Sequence, residues 1–427
     1  MVIFWFRRDL RVEDNHGLFK ALTSGESVLP VFVFDTNIIN KLPKSDSRLT
    51  FIHDLLSDLN NGLASFGGGL TVRIGNPQKV ISKLVDEHQA TAVYTNLDHE
   101  PYGIERDEEI KQLLKQRGVD FRSYLDHAIR GFGDVRKGDG GLYTVFTPYY
   151  NKWLSLLAKS DYKTYASELH LKAVVQHDKK PIPSLEDVGF KRSDITVKPY
   201  VLSDNLDHYD ETRDFPSLES TSQLGPHLRF GTISVREVIR QSLHRNEVFV
   251  KEVVWREFFM QILFHNPRVI NSAFKPPYDD IPWNTNEEAF KKWCEGKTGY
   301  PMVDAGMREL NATGYMHNRL RMITASFLCK HLLIDWRLGE AYFAERLLDF
   351  ELSSNNGNWQ WAAGCGCDAA PYFRVFNPTT QLKKFDPEFR YIRKWVPEFG
   401  SNSYPKPMVD HKTARENAIN TYKEALG

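Results

Sequence analysis

The strongest constraint on this chain is an alternation. Over roughly its first 125 residues, short β-branched runs are separated by amphipathic stretches, the pattern of a parallel sheet wound with helices on both faces. The expected strands are Val2–Phe6, Val28–Phe34, Leu70–Ile74, Ala92–Thr95 and Asp120–Ser123. Between the second and third, Leu55, Leu56, Leu59 and Leu63 recur at i, i+3, i+4 spacing and predict a helix over Phe51–Leu63. Sheets of this kind bind ligands at their strand C-termini. No G-x-G-x-x-G follows the first strand, so the dinucleotide fingerprint is absent, and Gly67-Gly68-Gly69 precedes a strand, as a turn would.

The pattern then changes. Residues 172–200 are polar, lack sustained periodicity and are interrupted by Pro181, Pro183 and Pro199, which marks a crossing between domains. Beyond Tyr200 the periodicity is helical, over Ser234–His244, Phe249–Phe264, Glu287–Glu295, Tyr300–Thr313, Asn318–Leu333 and Gly339–Asp349. The fold class expected is therefore α/β plus all-α. A doubly wound, Rossmann-like domain spans 1–128, a linker 129–200 and a helical domain 201–427, with no internal repeat.

Composition narrows what such a chain can do. Lys+Arg and Asp+Glu both number 55, so there is no global attraction to a polyanion, and any nucleic-acid site must be a local patch. The four cysteines are too few and too clustered for a disulfide framework, and Cys365-Gly366-Cys367 is not a usual zinc pair, which fits a reducing, cytoplasmic setting. Arg7, Arg8, Asp9 and Arg11 follow the apolar opening at once, which argues against both a signal peptide and a membrane span. Eight of nine tryptophans lie from residue 153 onward, concentrating redox-capable rings in the C-terminal part. Large aromatics also fill helical cores, and position alone separates the two readings.

Three segments concentrate chemistry. In Lys251–Phe259, Glu252, Trp255, Arg256 and Phe259 share one helical face, which brings a carboxylate, an indole and a guanidinium together. A core tryptophan flanked by an Arg–Glu pair would look the same. In Tyr315–Met322, Asn318 and Met322 stand one turn apart and offer an amide and a soft thioether, while Arg321 suits a phosphate or carboxylate. In Asp349–Trp361, acids and amides lie beside two indoles with little β-branching.

Together these segments resemble the flavin- and lesion-binding motifs of the photolyase/cryptochrome family, closest to the class I cyclobutane pyrimidine dimer photolyases. The resemblance runs nearly end to end and includes Trp5-Phe6-Arg7-Arg8-Asp9-Leu10-Arg11, Gly296-Lys297-Thr298-Gly299-Tyr300-Pro301 and Asn377-Pro378-Thr379-Thr380-Gln381. It implies light-driven electron transfer from reduced FAD to a dimer flipped out of DNA, with back-transfer after ring splitting. Extrusion of the base is already known of photolyases as a class.

Carried over residue by residue, the resemblance implies that Tyr209 and the loop Thr221-Ser222-Gln223-Leu224-Gly225 hold the FAD phosphates and ribityl chain, with Phe249 in the same set. Gln223 and Gly225 replace the more usual Arg and Ser, which puts one phosphate contact in doubt. Arg256, Arg321, Asp349 and Glu351 would pack against the flavin, with Arg321 and Asp349 as an ion couple, and Asn355 would face flavin N5. On the lesion side, Glu252 would hydrogen-bond the dimer, Trp255 and Trp361 would wall it, and Asn318 and Met322 would complete the cavity. Arg213 and Arg319 would grip flanking phosphates, and Trp359, Trp336 and Trp283 would form an electron-transfer chain.

The partner implied is UV-damaged DNA containing pyrimidine dimers, met by a monomer with no membrane attachment. Two rival readings come with the family. A (6-4) photolyase would carry histidines where Asn318 and Met322 stand, whereas a blue-light photoreceptor need not keep the lesion pocket. The antenna chromophore stays open between a deazaflavin, a folate, FMN or none, because Glu100–Asp107 differs from the folate-binding pattern. Lys383, Lys384, Arg390, Arg393 and Lys394 outnumber Asp386 and Glu388 and are either a solvated face or a border for the DNA backbone.

Overall fold

The computed structural model describes residues 1–176, 181–202 and 206–427. Part of the expected linker, residues 177–180, and residues 203–205 near the expected start of the helical domain lie outside the described residues. The chain forms two compact units. One comprises Met1–Gly140, Asn151–Leu202 and Gln223–His244, the other Gly141–Tyr150, Ser203–Ser222 and Arg245–Gly427.

The first unit is built on a five-stranded parallel sheet of β1 (Val2–Phe6), β2 (Val28–Asp35), β3 (Thr71–Gly75), β4 (Ala92–Asn96) and β5 (Asp120–Tyr124), in the order β3-β2-β1-β4-β5. The three central strands, β1, β2 and β4, are buried along their whole length, as their near-continuous apolar runs require of strands covered on both faces. β3 and β5 are edges and carry the exposed positions. The leucine stripe forms the Ser47–Ala64 helix, longer than its apolar pattern because Asp46 caps its start by accepting from Arg48 N.

A buried ion network ties residues 223–244 to this unit. Arg11 donates to both oxygens of Asp126 (2.9 and 2.8 Å), and Arg236 donates to Asp126 (2.8 Å) and to Asp14 (3.0 Å). Ser234 and Arg240 complete Asp14 at 2.6 and 2.9 Å. Burial alone would push the Asp126 carboxyl up, but Arg11 and Arg236 hold it far below the usual carboxylate range.

The second unit is helical. Its core gathers Trp293, Trp336, Trp359, Met302, Phe327 and Phe343 with smaller apolar residues, and Trp283 and Trp361 pack against it. Most expected helices form within a few residues of their expected ends, including Glu247–His265, Glu287–Cys294 and Pro301–Thr313. Two depart from expectation. The single helix expected over Asn318–Leu333 is α-helical only to Ser326, then widens into a π turn over Phe327–His331, with Leu332 N bonded to Phe327 O (3.2 Å). The helix expected from Gly339 begins earlier, at Trp336, where Asp335 caps it by accepting from Arg337 N.

Candidate functional site

The site is assembled on three helices of the second unit. The Asn318–Ser326 helix starts beneath His317, whose Nδ1 accepts from Arg319 N, so its first turn projects Asn318, Arg321 and Met322 into one cavity. The Leu352–Ala363 helix, preceded by Glu351, brings Asn355, Trp359 and Trp361 to the same cavity, together with Asp349 and Glu351 from the connecting segment. Close packing makes this possible. Gly357 lies against the buried Phe259 ring of the Glu247–His265 helix, and Gly339 lies against the Trp359 indole, so a Cβ at either glycine would overlap an aromatic ring.

The cavity has a strongly polar wall. Arg321 donates to Asp349 Oδ2 (2.8 Å) and to Met316 O (2.8 Å). Burial works against the Arg321 charge, but Asp349 outweighs it and the guanidinium is held charged. Asp349 Oδ1 is buried and has no hydrogen-bond partner among the described residues. A ligand offering an N–H donor next to an acceptor would satisfy both members of the couple, and the heterocyclic edge of a flavin has that character. Asn355, which lines the cavity, donates from Nδ2 to Glu340 O (3.0 Å) and Oε1 (2.9 Å), and burial raises the Glu340 pKa.

A second group of expected site residues lies along the Glu247–His265 helix. Glu252 accepts from Arg213 (2.7 Å), the Arg213 guanidinium lies 5.1 Å from the centroid of the Tyr209 ring, and Tyr209 meets Phe249 edge-on at 5.0 Å. Arg256 links this helix to the cavity by donating to Glu351 (3.0 Å). Arg319 donates to Asp214 (2.6 Å), lies 4.3 Å over the Phe385 ring and comes within 3.8 Å of Met322 Sδ. Trp255 is stacked face to face on Phe146, with centroids 3.8 Å apart and planes 9° apart.

Of the loop expected to hold phosphates, Thr221 and Ser222 belong to the second unit. Thr221 Oγ1 lies 3.1 Å from Tyr315 Oη. Gln223 has a left-handed backbone (φ 56°) and precedes the Leu224–Phe230 helix, which carries Leu224 and Gly225; these three belong to the first unit. Trp336 and Trp359 lie in the core of the second unit, while Trp283 is half-buried against it. The described ring neighbours of Trp359 are Trp293 at 6.1 Å and Phe343 at 4.9 Å.

Comparison with known proteins shows the family. Residues 2–168 match the family model described as DNA photolyase, and residues 249–403 match the FAD binding domain of DNA photolyase. Over its whole length the chain is 35% identical to the whole of a deoxyribodipyrimidine photo-lyase of Halobacterium salinarum. The chain belongs to the photolyase/cryptochrome family. Among solved structures, a bacterial class III photolyase from Agrobacterium tumefaciens superposes with a TM-score of 0.89 at 33% identity, covering 99% of this chain and 97% of that one. A Synechocystis cryptochrome superposes with a TM-score of 0.85 at 26% identity, covering 99% of each.

Within this family member, three residues join the site that sequence reasoning missed. Glu340 partners Asn355, Tyr315 partners Thr221, and Phe146 backs Trp255. Tyr315 had a signal, since it opens the segment already singled out. Glu340 and Phe146 had none, because each meets its partner through tertiary packing. Among the described residues, no helix is long and apolar enough to cross a membrane.

Proposed function

We propose that this chain is a DNA photolyase that reverses cyclobutane pyrimidine dimers in UV-damaged DNA, FAD supplying the light-excited electron that passes to a flipped-out dimer and returns after ring splitting. The observation that carries the proposal is the shared cavity. The Arg321–Asp349 couple and Asn355, matched to the flavin, line it together with Asn318, Met322 and Trp361, matched to the lesion. Two binding functions separated by electron-transfer distance are what the reaction needs.

In this reading, Arg321 and Asp349 hold the flavin edge, with Tyr209, Thr221, Ser222, Phe249, Arg256 and Glu351 of the same unit in supporting contacts. Glu252 bonds the dimer, and Trp255, braced by Phe146, and Trp361 present ring faces to it. Arg213 and Arg319 are already charge-paired with Glu252 and Asp214, so each must exchange a carboxylate for a phosphate when DNA binds. The proposed division of labour is an antenna-type domain over 1–128 and a catalytic domain over 201–427, joined by 129–200.

The (6-4) alternative is disfavoured by chemistry at the cavity. Asn318 and Met322 carry no proton to donate at neutral pH, and burial lowers the pKa of neighbouring His317 to about 4, so its ring is neutral there. The photoreceptor alternative is disfavoured because the lesion-side set is complete. The test is substrate discrimination: the reduced, FAD-loaded protein is illuminated with oligonucleotides carrying either lesion. Loss of the cyclobutane dimer alone supports the proposal; loss of the (6-4) product alone, or of neither, refutes it.

A further inference from the structure

The lesion side of the cavity hangs on a short connection. Residues 314–317 join the Pro301–Thr313 helix to the Asn318–Ser326 helix, and the backbone groups that neither helix satisfies must find partners elsewhere. Gly314 O accepts from Leu348 N (2.9 Å), Tyr315 N donates to Thr313 Oγ1 (3.2 Å), and Met316 O accepts from Arg321 Nε (2.8 Å). The last donor before Asn318 is His317 N. It goes to a side chain of the preceding helix, Glu309 Oε2 (3.2 Å).

Glu309 is buried, and the same Oε2 accepts from the hydroxyl of buried Tyr391 at 2.7 Å. Packing alone would select an apolar side chain here, since burial penalises a carboxylate and raises the Glu309 pKa. Tyr391 is fixed in turn. Buried Asp386 accepts from Tyr391 N (3.2 Å) and Ile392 N (3.0 Å) in the first turn of the Arg390–Trp395 helix. The two helices flanking the connection are also in close contact, because a Cβ on Gly306 would come 3.1 Å from both Leu320 Cβ and Thr324 Cγ2. One oxygen of Glu309 therefore ties three helices together at the residue preceding Asn318.

We infer that Glu309 is a positioning residue that sets the first turn of the Asn318–Ser326 helix, and through it the discrimination between a dimer and undamaged DNA. The inference rests on the proposed reading of Asn318 and Met322 as lesion contacts, both of which line the cavity. Glu309 acts through one backbone N–H. Because a single oxygen takes both donors, an amide oxygen in the same place accepts the same two bonds, and the carboxylate charge is not required. An apolar side chain would strand the buried His317 N–H, and the connection would shift toward another acceptor and turn Asn318 with it. Arg319 is anchored separately by Asp214 (2.6 Å) and by the Phe385 ring (4.3 Å), so the grip on a flanking phosphate should survive.

The test compares a dimer-containing oligonucleotide with its undamaged counterpart, by equilibrium binding and by single-turnover repair, on the reduced, FAD-loaded protein. The double variant Glu309→Leu with Tyr391→Phe removes both polar side chains without stranding the phenol. It should bind the dimer about tenfold more weakly, while affinity for undamaged DNA, flavin content and repair per bound dimer at saturation stay within about twofold. A general loss of structure would not split binding from turnover in this way. Glu309→Gln, which keeps both bonds, should match the unsubstituted protein. If the double variant does not fold, Tyr391→Phe alone carries the test, with an expected loss of dimer affinity of about threefold as the carboxylate loses its anchor. An unchanged ratio of dimer to undamaged affinity in a folded variant, or a Glu309→Gln protein as impaired as the double variant, would overturn this inference and leave the proposed function standing. Unsubstituted protein with no preference for dimer-containing DNA would overturn the proposed function and the inference together.

Discussion

At the residue scale, the account depends on charges that face a ligand while held by a neighbour. Glu252 is only partly buried and is held in place by its ion pair with Arg213 (2.7 Å). Glu252→Ala should leave the flavin in place and lower light-driven repair roughly tenfold, the worth of one hydrogen bond to a charged group. Repair assays alongside the visible spectrum check both halves. Glu252 and Trp361 fall in segments singled out by residue type, whereas Arg213 is expected only from the family resemblance, and the roles of all three toward the lesion belong to the proposed reading. Glu340 was not legible: its bond to Asn355 joins two helices through packing, and in the sequence it reads as a surface glutamate.

At the element scale, the cavity depends on two helices meeting closely enough for Gly357 to touch the Phe259 ring. Phe259 is buried and cannot swing away, so Gly357→Ala must push the helices apart. The expected cost is about 1–3 kcal/mol of stability with weakened flavin retention, read by thermal unfolding and by flavin released on gel filtration. All five strands were legible to within a residue at every end, and for β1, β2 and β4 the reason is that buried apolar runs between turn residues admit few alternatives. The π turn was not legible. Phe327–His331 keeps helical composition, and only the hydrogen bond skipping to the fifth residue reveals the change.

At the scale of the whole molecule, stability should be acid-sensitive. The folded pKa of Asp126 is depressed by Arg11 and Arg236, so its contribution is complete above the unfolded value of about 4 and is lost as pH falls below it. Asp126→Asn should cost about 3–5 kcal/mol at neutral pH, because buried Arg11 loses its carboxylate partner and buried Arg236 loses one of its two, and should flatten the acid limb of the unfolding profile. Affinity for DNA should also depend on salt despite zero net charge. In the basic run, Arg390 is paired with Glu388 and Lys394 with Glu219, whereas Lys383 and Arg393 are exposed. Replacing Lys383 and Arg393 by Gln should reduce the salt slope of DNA binding by about one per residue that meets a phosphate. An unchanged slope would make the run an ordinary solvated face. The division into a sheet-based and a helical unit was legible from periodicity. The membership of residues 223–244 was not, since it depends on Arg236 and Ser234 reaching Asp14 and Asp126.

The central claim is that one cavity brings a flavin and a pyrimidine dimer together for light-driven repair. The most direct measurement follows intact dimers in an oligonucleotide bound to the reduced, FAD-loaded protein, in blue light and in darkness at matched occupancy. The account predicts steady loss of dimers in the light and none in the dark. Full flavin reduction and full DNA occupancy with no light-dependent loss would contradict it.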